Sequence, residues 1–279
     1  MTDSVFILGA GRAGRGLSRA LRASGVMVVG LHGRHAESGP DAVTAGDIPG
    51  SIAAANVVIV AVRDGQLGEA LGELARARLA PGAAVLHASG SAEPALEALR
   101  SAGHPAGTFH PLVPIADPAR AAELFRGAFV GLDGDAAAIA AGERLASRRG
   151  ARTLRIPAGE KPTYHAAAVI ASNFPTVLAA LGARLLVGLG VSDGDAWDAI
   201  RALMRGAVAN LDSDTPAHAL TGPIARGDSE TVRRHLDALE THPETGALYR
   251  ALSAVAVEIA RDAGTSEAAL RRIEQLLGR

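Results

Sequence analysis

Residues Val5 to Gly16 read VFILGAGRAGRG: four apolar residues, then Gly9, Gly11 and Gly14 at G-x-G-x-x-G spacing, leading into the amphipathic stretch Arg12 to Ala23. This is the pattern of a strand that turns sharply into a helix. Gly9 permits the tight turn, Gly11 lets a pyrophosphate approach the backbone, and Gly14 lets the helix pack closely on the strand. The helix N-terminus then faces the phosphate charge. Gly9, Ala10, Gly11, Arg12, Ala13 and Gly14 are therefore expected to hold a dinucleotide. No Gly-Lys-Ser or Gly-Lys-Thr follows, which excludes a nucleoside-triphosphate loop.

Outward from this loop, short apolar runs alternate with amphipathic segments. Val5–Leu8, Val26–Leu31, Val57–Val62, Ala84–Leu86, Gly107–Phe109, Phe129–Leu132 and Thr153–Ile156 read as strands. Helical patterns fall at Arg12–Ala23, Gln66–Arg78, Ala92–Ser101 and Asp135–Arg149. Apolar strands separated by helices imply a doubly wound, mainly parallel sheet covered on both faces, with the last strands antiparallel at an edge. After Pro157 strand signals almost vanish and long helical patterns run from Pro162 to Leu277. The expected organisation is an α/β nucleotide-binding domain over 1–157 and an all-helical domain over 158–279.

The second strand ends in Leu31-His32-Gly33-Arg34, without the acid that would hold a ribose 2′-hydroxyl. Arg34 lies twenty residues past Gly14, where a guanidinium accommodates a 2′-phosphate, so Gly33 and Arg34 point to NADP. Ligands of such sheets bind at the carboxyl ends of the strands. The polar ends here are Ala61-Val62-Arg63-Asp64, His87-Ala88-Ser89-Gly90-Ser91 and Thr108-Phe109-His110-Pro111. Ala61, Val62, Arg63, His87 and Ser89 are expected to line the cofactor's nicotinamide half, with His110 at its border toward the substrate.

The chain carries 28 basic and 29 acidic residues, a formal net charge of -1, and no cysteine. The near-zero balance offers no footprint for nucleic acid or an anionic membrane, and the missing cysteines exclude disulfides and thiolate chemistry. His218, His235 and His242 do not group with acids at metal-binding spacing, and no metal site is expected. The longest apolar run, roughly Ile52 to Val62, is too short to span a bilayer. A small-molecule substrate and a cytoplasmic location are the expectation.

The helix that opens the second domain, KPTYHAAAVIASNFP (Lys161 to Pro175), carries the only lysine of the chain. At 100° per residue His165, Ala168, Val169 and Ser172 share a stripe with Asn173 on its flank. Pro175 cannot donate to the carbonyl of Ala171, so a kink is expected near Ser172-Asn173 that turns those polar groups toward a ligand. His165, Lys161 and Asn173 are the candidate catalytic residues. Lys161 precedes a proline and is expected to flank the helix. In the loop TGPIARGD, Thr221 and Arg226 are candidate substrate-binding residues together with Ser172 and His110. Asp228 reads as a helix N-cap.

ILGAGRAG, VAVRD, HASGS, FHPLVPI, YHAAAVIASNF and LTGPIARGD together resemble Rossmann-like proteins with a DUF2520 C-terminal domain. More distantly the architecture is similar to the 6-phosphogluconate dehydrogenase, pyrroline-5-carboxylate reductase and ketopantoate reductase superfamily. The resemblance implies an NADP-binding Rossmann domain, an all-helical C-terminal domain, an active site in the cleft between them, and a homodimer formed through the helices. Such relatives often use a Lys and an Asn three or four residues apart on one helix. Here the residue four after Lys161 is His165, and Asn173 comes eight later. The expected activity is reduction of the C=O or C=N of a small keto or imino acid by NADPH, and the alternative is a non-catalytic NADP-binding sensor.

Overall fold

The computed structural model describes residues 3–212 and 215–279. It divides into two compact units, Met1–Asn173 and Phe174–Arg279.

The first unit is built on one seven-stranded sheet: β1 (Ser4–Leu8), β2 (Met27–His32), β3 (Val57–Val60), β4 (Ala84–His87), β5 (Ala106–Pro111), β6 (Phe129–Gly134) and β7 (Arg152–Arg155). The spatial order is β2-β1-β3-β4-β5-β6-β7. β1 to β5 are parallel, β6 runs antiparallel to β5, and β7 follows β6 in parallel. Every strand expected from the sequence is present. The order reverses between β1 and β3, which places the crevice at their carboxyl ends, where Gly9 and Ala61 lie.

Strand residues alternate between two apolar layers, as the two-residue side-chain period requires. Val5, Ile7, Val57, Ile59 and Leu86 join Leu17 and Leu21 of α1 (Arg12–Ala23) and Leu145 of the later helix Ala136–Arg148. Phe6, Leu8, Val58, Val60 and Val85 join Leu67, Leu71 and Leu74 of α2 (Asp64–Arg76) on the opposite face. Each fully buried Leu, Ile or Phe in these layers contributes roughly 1.5–3 kcal/mol.

The third helix is shorter than its sequence pattern: α3 covers Glu97–Ser101, not Ala92–Ser101. Pro94 disfavours helix at Glu93. Both backbone groups of Ala92 are also taken, its N–H by Ser89 Oγ and its carbonyl by Lys161 Nζ. α4 (Ala121–Leu124) and α5 (Ala136–Arg148) complete the layers.

Next comes α6 (Lys161–Ser172), and its position corrects two expectations. The compact units part after Asn173, not after Pro157, because α6 packs on the first unit. Its buried or half-buried stripe is Lys161, Tyr164, His165, Ala168 and Val169, an i, i+3, i+4, i+7, i+8 pattern that starts at Lys161, while Ser172 and Asn173 are exposed. Lys161 is thus the first residue of the helix and only 1% exposed, not a surface flank. The helix is interrupted at Asn173, where the Pro175 break was expected, and α7 (Phe174–Gly188) begins beyond it.

The second unit continues with α8 (Asp193–Ala209), α9 (Pro216–Ala219), α10 (Ser229–Ala238), α11 (Pro243–Asp262) and α12 (Glu267–Leu277). Val232, Leu236, Val257, Leu270 and Ile273 form its core. Asp228 caps α10, accepting from Thr231 N at 3.0 Å.

The segment Lys161–Gly188 contains an 18-residue window with a mean hydropathy of 1.6, long and apolar enough to cross a membrane by length and composition. This overrides the expectation that no such stretch exists. The burial of Lys161 and the half-burial of Tyr164 and His165 in the first unit are incompatible with lipid around α6.

Candidate functional site

The glycine loop follows β1 as the spacing predicted. Gly9 has φ +115° and donates its N–H to His32 O at 2.8 Å, tying the turn to β2. A Cβ on Gly9 would lie 2.4 Å from Ala61 O, and one on Gly14 would lie 1.7 Å from Gly9 O. These two glycines are demanded by the packing of strand, turn and helix. Gly11 is different: a Cβ there meets nothing within 4 Å. The space beside it is open, which is what a dinucleotide pyrophosphate needs.

A cavity of about 430 Å³ opens over the loop. Of the residues expected to hold the cofactor, Gly9, Ala10, Gly11, Gly33, Arg34, Ala61, Val62 and Arg63 line it. Arg12 and Ala13 are exposed in the first turn of α1, Gly14 is buried beneath the turn, and His87 and Ser89 lie at the end of β4. Gly33 has a packing reason as well, since a Cβ would come within 2.7 Å of the Ala10 Cβ. Arg34 is exposed and has no ion-pair partner among the described residues. Arg15 is occupied, its guanidinium paired with Glu37 at 2.5 Å and its Nε donating to Ala10 O at 2.9 Å. Arg34 and Arg63 are thus the cavity-lining arginines without an ion-pair partner among the described residues.

At the carboxyl ends of β4 and β5 the first unit gathers three imidazoles, one tyrosine and one lysine. Lys161 Nζ donates to Thr108 Oγ1 at 2.9 Å and to Ala92 O at 2.5 Å, and stands 3.4 Å from His87 Nε2. His87 and Thr108 are register partners on adjacent strands, with Thr108 Oγ1 3.2 Å from His87 Nε2. Burial, followed by the nearby Lys161, pushes the His87 pKa down to about 3, so the ring is neutral. Burial also lowers the pKa of Lys161, against the opposing pull of Asp133, Glu93 and Asp64.

One turn along α6, Tyr164 OH lies 2.9 Å from His110 Nδ1 and 3.4 Å from His110 O. Burial raises the Tyr164 pKa to about 12, so the phenol keeps its proton. Burial, then His165, then Lys161 bring the His110 pKa down to about 4. His165 packs edge-on against His110 with ring centroids 5.6 Å apart, and its Nδ1 is buried without a partner. Both rings rest on Gly90, where a Cβ would fall 2.5 Å from His165 Nδ1 and 2.8 Å from His110 Nε2. Any side chain at residue 90 would displace them. His110 Nε2 and His165 Nδ1 thus stand side by side over the same glycine as two imidazole nitrogens, each able to donate or accept according to its tautomer.

The structure thus brings Lys161, His165, His110 and His87 together. It does not bring in Ser172 and Asn173, which are exposed and bond to each other, Ser172 Oγ to Asn173 Oδ1, at 2.9 Å. Asn173 lies eight residues beyond His165, about 12 Å along a helix axis. Thr221 and Arg226 are exposed residues of the second unit. Among the described residues no three His, Asp or Glu are grouped to hold a metal ion. Tyr164 received no role from the sequence, and Thr108 and Gly90 were expected only as members of the polar strand ends. Tyr164 was findable by extending the helical stripe back from His165, whereas Thr108 and Gly90 needed the strand register.

Residues 128–256 match the family described as a domain of unknown function, DUF2520. The chain matches no curated protein. Among solved structures it is similar to protein TM1727 from Thermotoga maritima, with a TM-score of 0.70 and 25% identity over 92% of this chain and 98% of that one. BF3122 from Bacteroides fragilis, provisionally named an NADP oxidoreductase, superposes with a TM-score of 0.68 at 21% identity, over 92% of this chain and 98% of that one. Pyrroline carboxylate reductase from Plasmodium falciparum, solved with NADP bound, gives 0.61 at 12% identity, over 99% and 98%. The chain has a Rossmann-type fold, and its residues 128–256 match the DUF2520 family.

Proposed function

We propose that this protein is an NADP-dependent reductase acting on the C=O or C=N of a small keto or imino acid. The observation that carries the reading is the pairing of an open Gly11 loop with the His110–His165 pair seated on Gly90 at the carboxyl ends of the same sheet. The naming of BF3122 and the NADP bound to the Plasmodium falciparum enzyme agree with it.

Gly9 to Gly14 would hold the pyrophosphate and Arg34 the 2′-phosphate. When bound, the nicotinamide supplies hydride to an sp² carbon. The chain's own part is to bind and protonate. His110, held by Tyr164, presents Nε2 to a substrate oxygen or nitrogen, and His165 holds or relays the proton at Nδ1. The buried ammonium of Lys161 already has three acceptors and serves this site from behind. The exposed apolar residues of the second unit, among them Val177, Leu189, Trp197 and Leu203, would be covered by a second copy in a homodimer.

The test is NADPH oxidation across a panel of small 2-keto and cyclic imino acids, comparing wild type with His165→Gln. The expected result is a fall in kcat of about a hundredfold or more with dinucleotide affinity unchanged. Wild-type turnover in the variant would remove His165 from the chemistry. NADPH binding without oxidation by any acid would favour the sensor reading instead.

A further inference from the structure

The most heavily buried polar cluster of the first unit is Lys161, Thr108 and His87, at 1%, 0% and 1% exposure. The cluster has a bonding logic that assigns its protons. An ammonium only donates, and Lys161 donates to Thr108 Oγ1 at 2.9 Å. The single hydroxyl proton of Thr108 is then free to point at its other neighbour, His87 Nε2, at 3.2 Å. Lys161 itself faces the same nitrogen at 3.4 Å, again as a donor. Nε2 is thus approached by two donors and must be the lone-pair nitrogen. The proton of the neutral ring sits on Nδ1, and Nδ1 is buried with no partner. Leaving a buried donor unpaired costs about 1–3 kcal/mol, so such a group in a folded protein calls for an acceptor.

We propose that Lys161 and Thr108 are positioning residues that fix His87 as its Nδ1–H tautomer, making that buried N–H the donor for an oxygen acceptor of a ligand bound at the carboxyl ends of β4 and β5. This rests on the function proposed above and deepens it. The acceptor is a carbonyl-type oxygen, either the carboxamide of the dinucleotide or the C=O or carboxylate of the substrate. In this arrangement the chain's only lysine acts through an imidazole two atoms away and not as the proton donor.

Nuclear magnetic resonance on protein labelled with ¹⁵N-histidine reads the tautomer directly through long-range ¹H–¹⁵N correlations. At neutral pH His87 is expected to show a protonated Nδ1 and an unprotonated Nε2. Thr108→Ser should keep that pattern, because the hydroxyl remains. Lys161→Met should lose the single tautomer, because Thr108 is then free to accept from Nε2–H. A wild-type His87 protonated at Nε2, or a Lys161→Met spectrum identical to wild type, would overturn the assignment. The ligand half is read in the same sample. A downfield shift of the Nδ1 proton with NADP⁺ alone identifies the dinucleotide carboxamide as acceptor, and a shift requiring added pyruvate identifies the substrate oxygen. If the Gly9–Gly14 amides respond to NADP⁺ but the His87 proton moves with neither addition, the donor role is wrong while the cofactor reading stands. If those amides do not respond, the cofactor reading fails, and the His87 tautomer still decides the positioning role.

Discussion

Gly14→Ala is expected to destabilise the protein by about 4 kcal/mol or more, enough to unfold much of the population at 25 °C. Two effects compete at this position. Alanine inside a helix is favoured over glycine by about 1 kcal/mol, so propensity alone predicts stabilisation. Against this, the new Cβ would sit 1.7 Å from Gly9 O, a fixed backbone atom of the turn. No rotamer relieves that clash; strand and helix would have to separate, and overpacking a tight junction costs several times the propensity gain. Urea unfolding measures the difference. Gly68→Ala supplies the opposite sign, because Gly68 lies exposed in α2 with nothing within 4 Å of its Cβ, and a gain of about 0.5–1 kcal/mol is expected. A Gly14→Ala protein as stable as wild type would refute the strand-to-helix junction described here.

The second large effect is on acid stability. His87 and His110 titrate near 6.5 once unfolded, but in the native protein burial holds them near 3 and 4, with Lys161 and His165 respectively as the next causes. A depressed imidazole pKa means that between those limits the unfolded chain binds protons the native state refuses. Stability is therefore full above about pH 6.5 and falls as the pH drops toward 4. At pH 5 each ring costs about 2 kcal/mol, and the pair, discounted for the partial exposure of His110, on the order of 3 kcal/mol. Urea unfolding at pH 7 and pH 5 should show this loss, and His110→Gln should recover about half of it. A flat profile between those pH values would mean that the imidazoles are not buried as described.

The fold was legible because its signals are local. A glycine triplet, seven β-branched runs and the period of α1 each declare themselves within a dozen residues. The glycine loop half of the candidate site was legible for the same reason. What the sequence concealed was tertiary. Ala92 reads as helix by composition, yet its N–H is taken by Ser89 three residues back and its carbonyl by Lys161 from α6. Lys161 before Pro162 reads as a flank, because nothing in its neighbourhood reveals that Thr108 and His87 lie in register across β4 and β5 to receive it. The helical stripe through His165 was visible, but the ring it meets, His110, comes from fifty-five residues earlier and is met only once β5 is in place. Ser172 and Asn173 carry attractive chemistry on an exposed turn that satisfies itself.

The central claim is that the glycine loop binds a dinucleotide, and Gly11 isolates it, because nothing in the protein itself needs that residue to be glycine. Calorimetric titration of NADPH and NADH into wild type and Gly11→Ala, with urea unfolding in parallel, is the direct measurement. Wild type should bind NADPH more tightly than NADH. Gly11→Ala should keep its stability within about 1 kcal/mol and lose about a hundredfold or more in NADPH affinity, because the new methyl occupies the space of the pyrophosphate. Wild type that binds neither dinucleotide, or a Gly11→Ala protein that binds NADPH as tightly as wild type, would contradict the account.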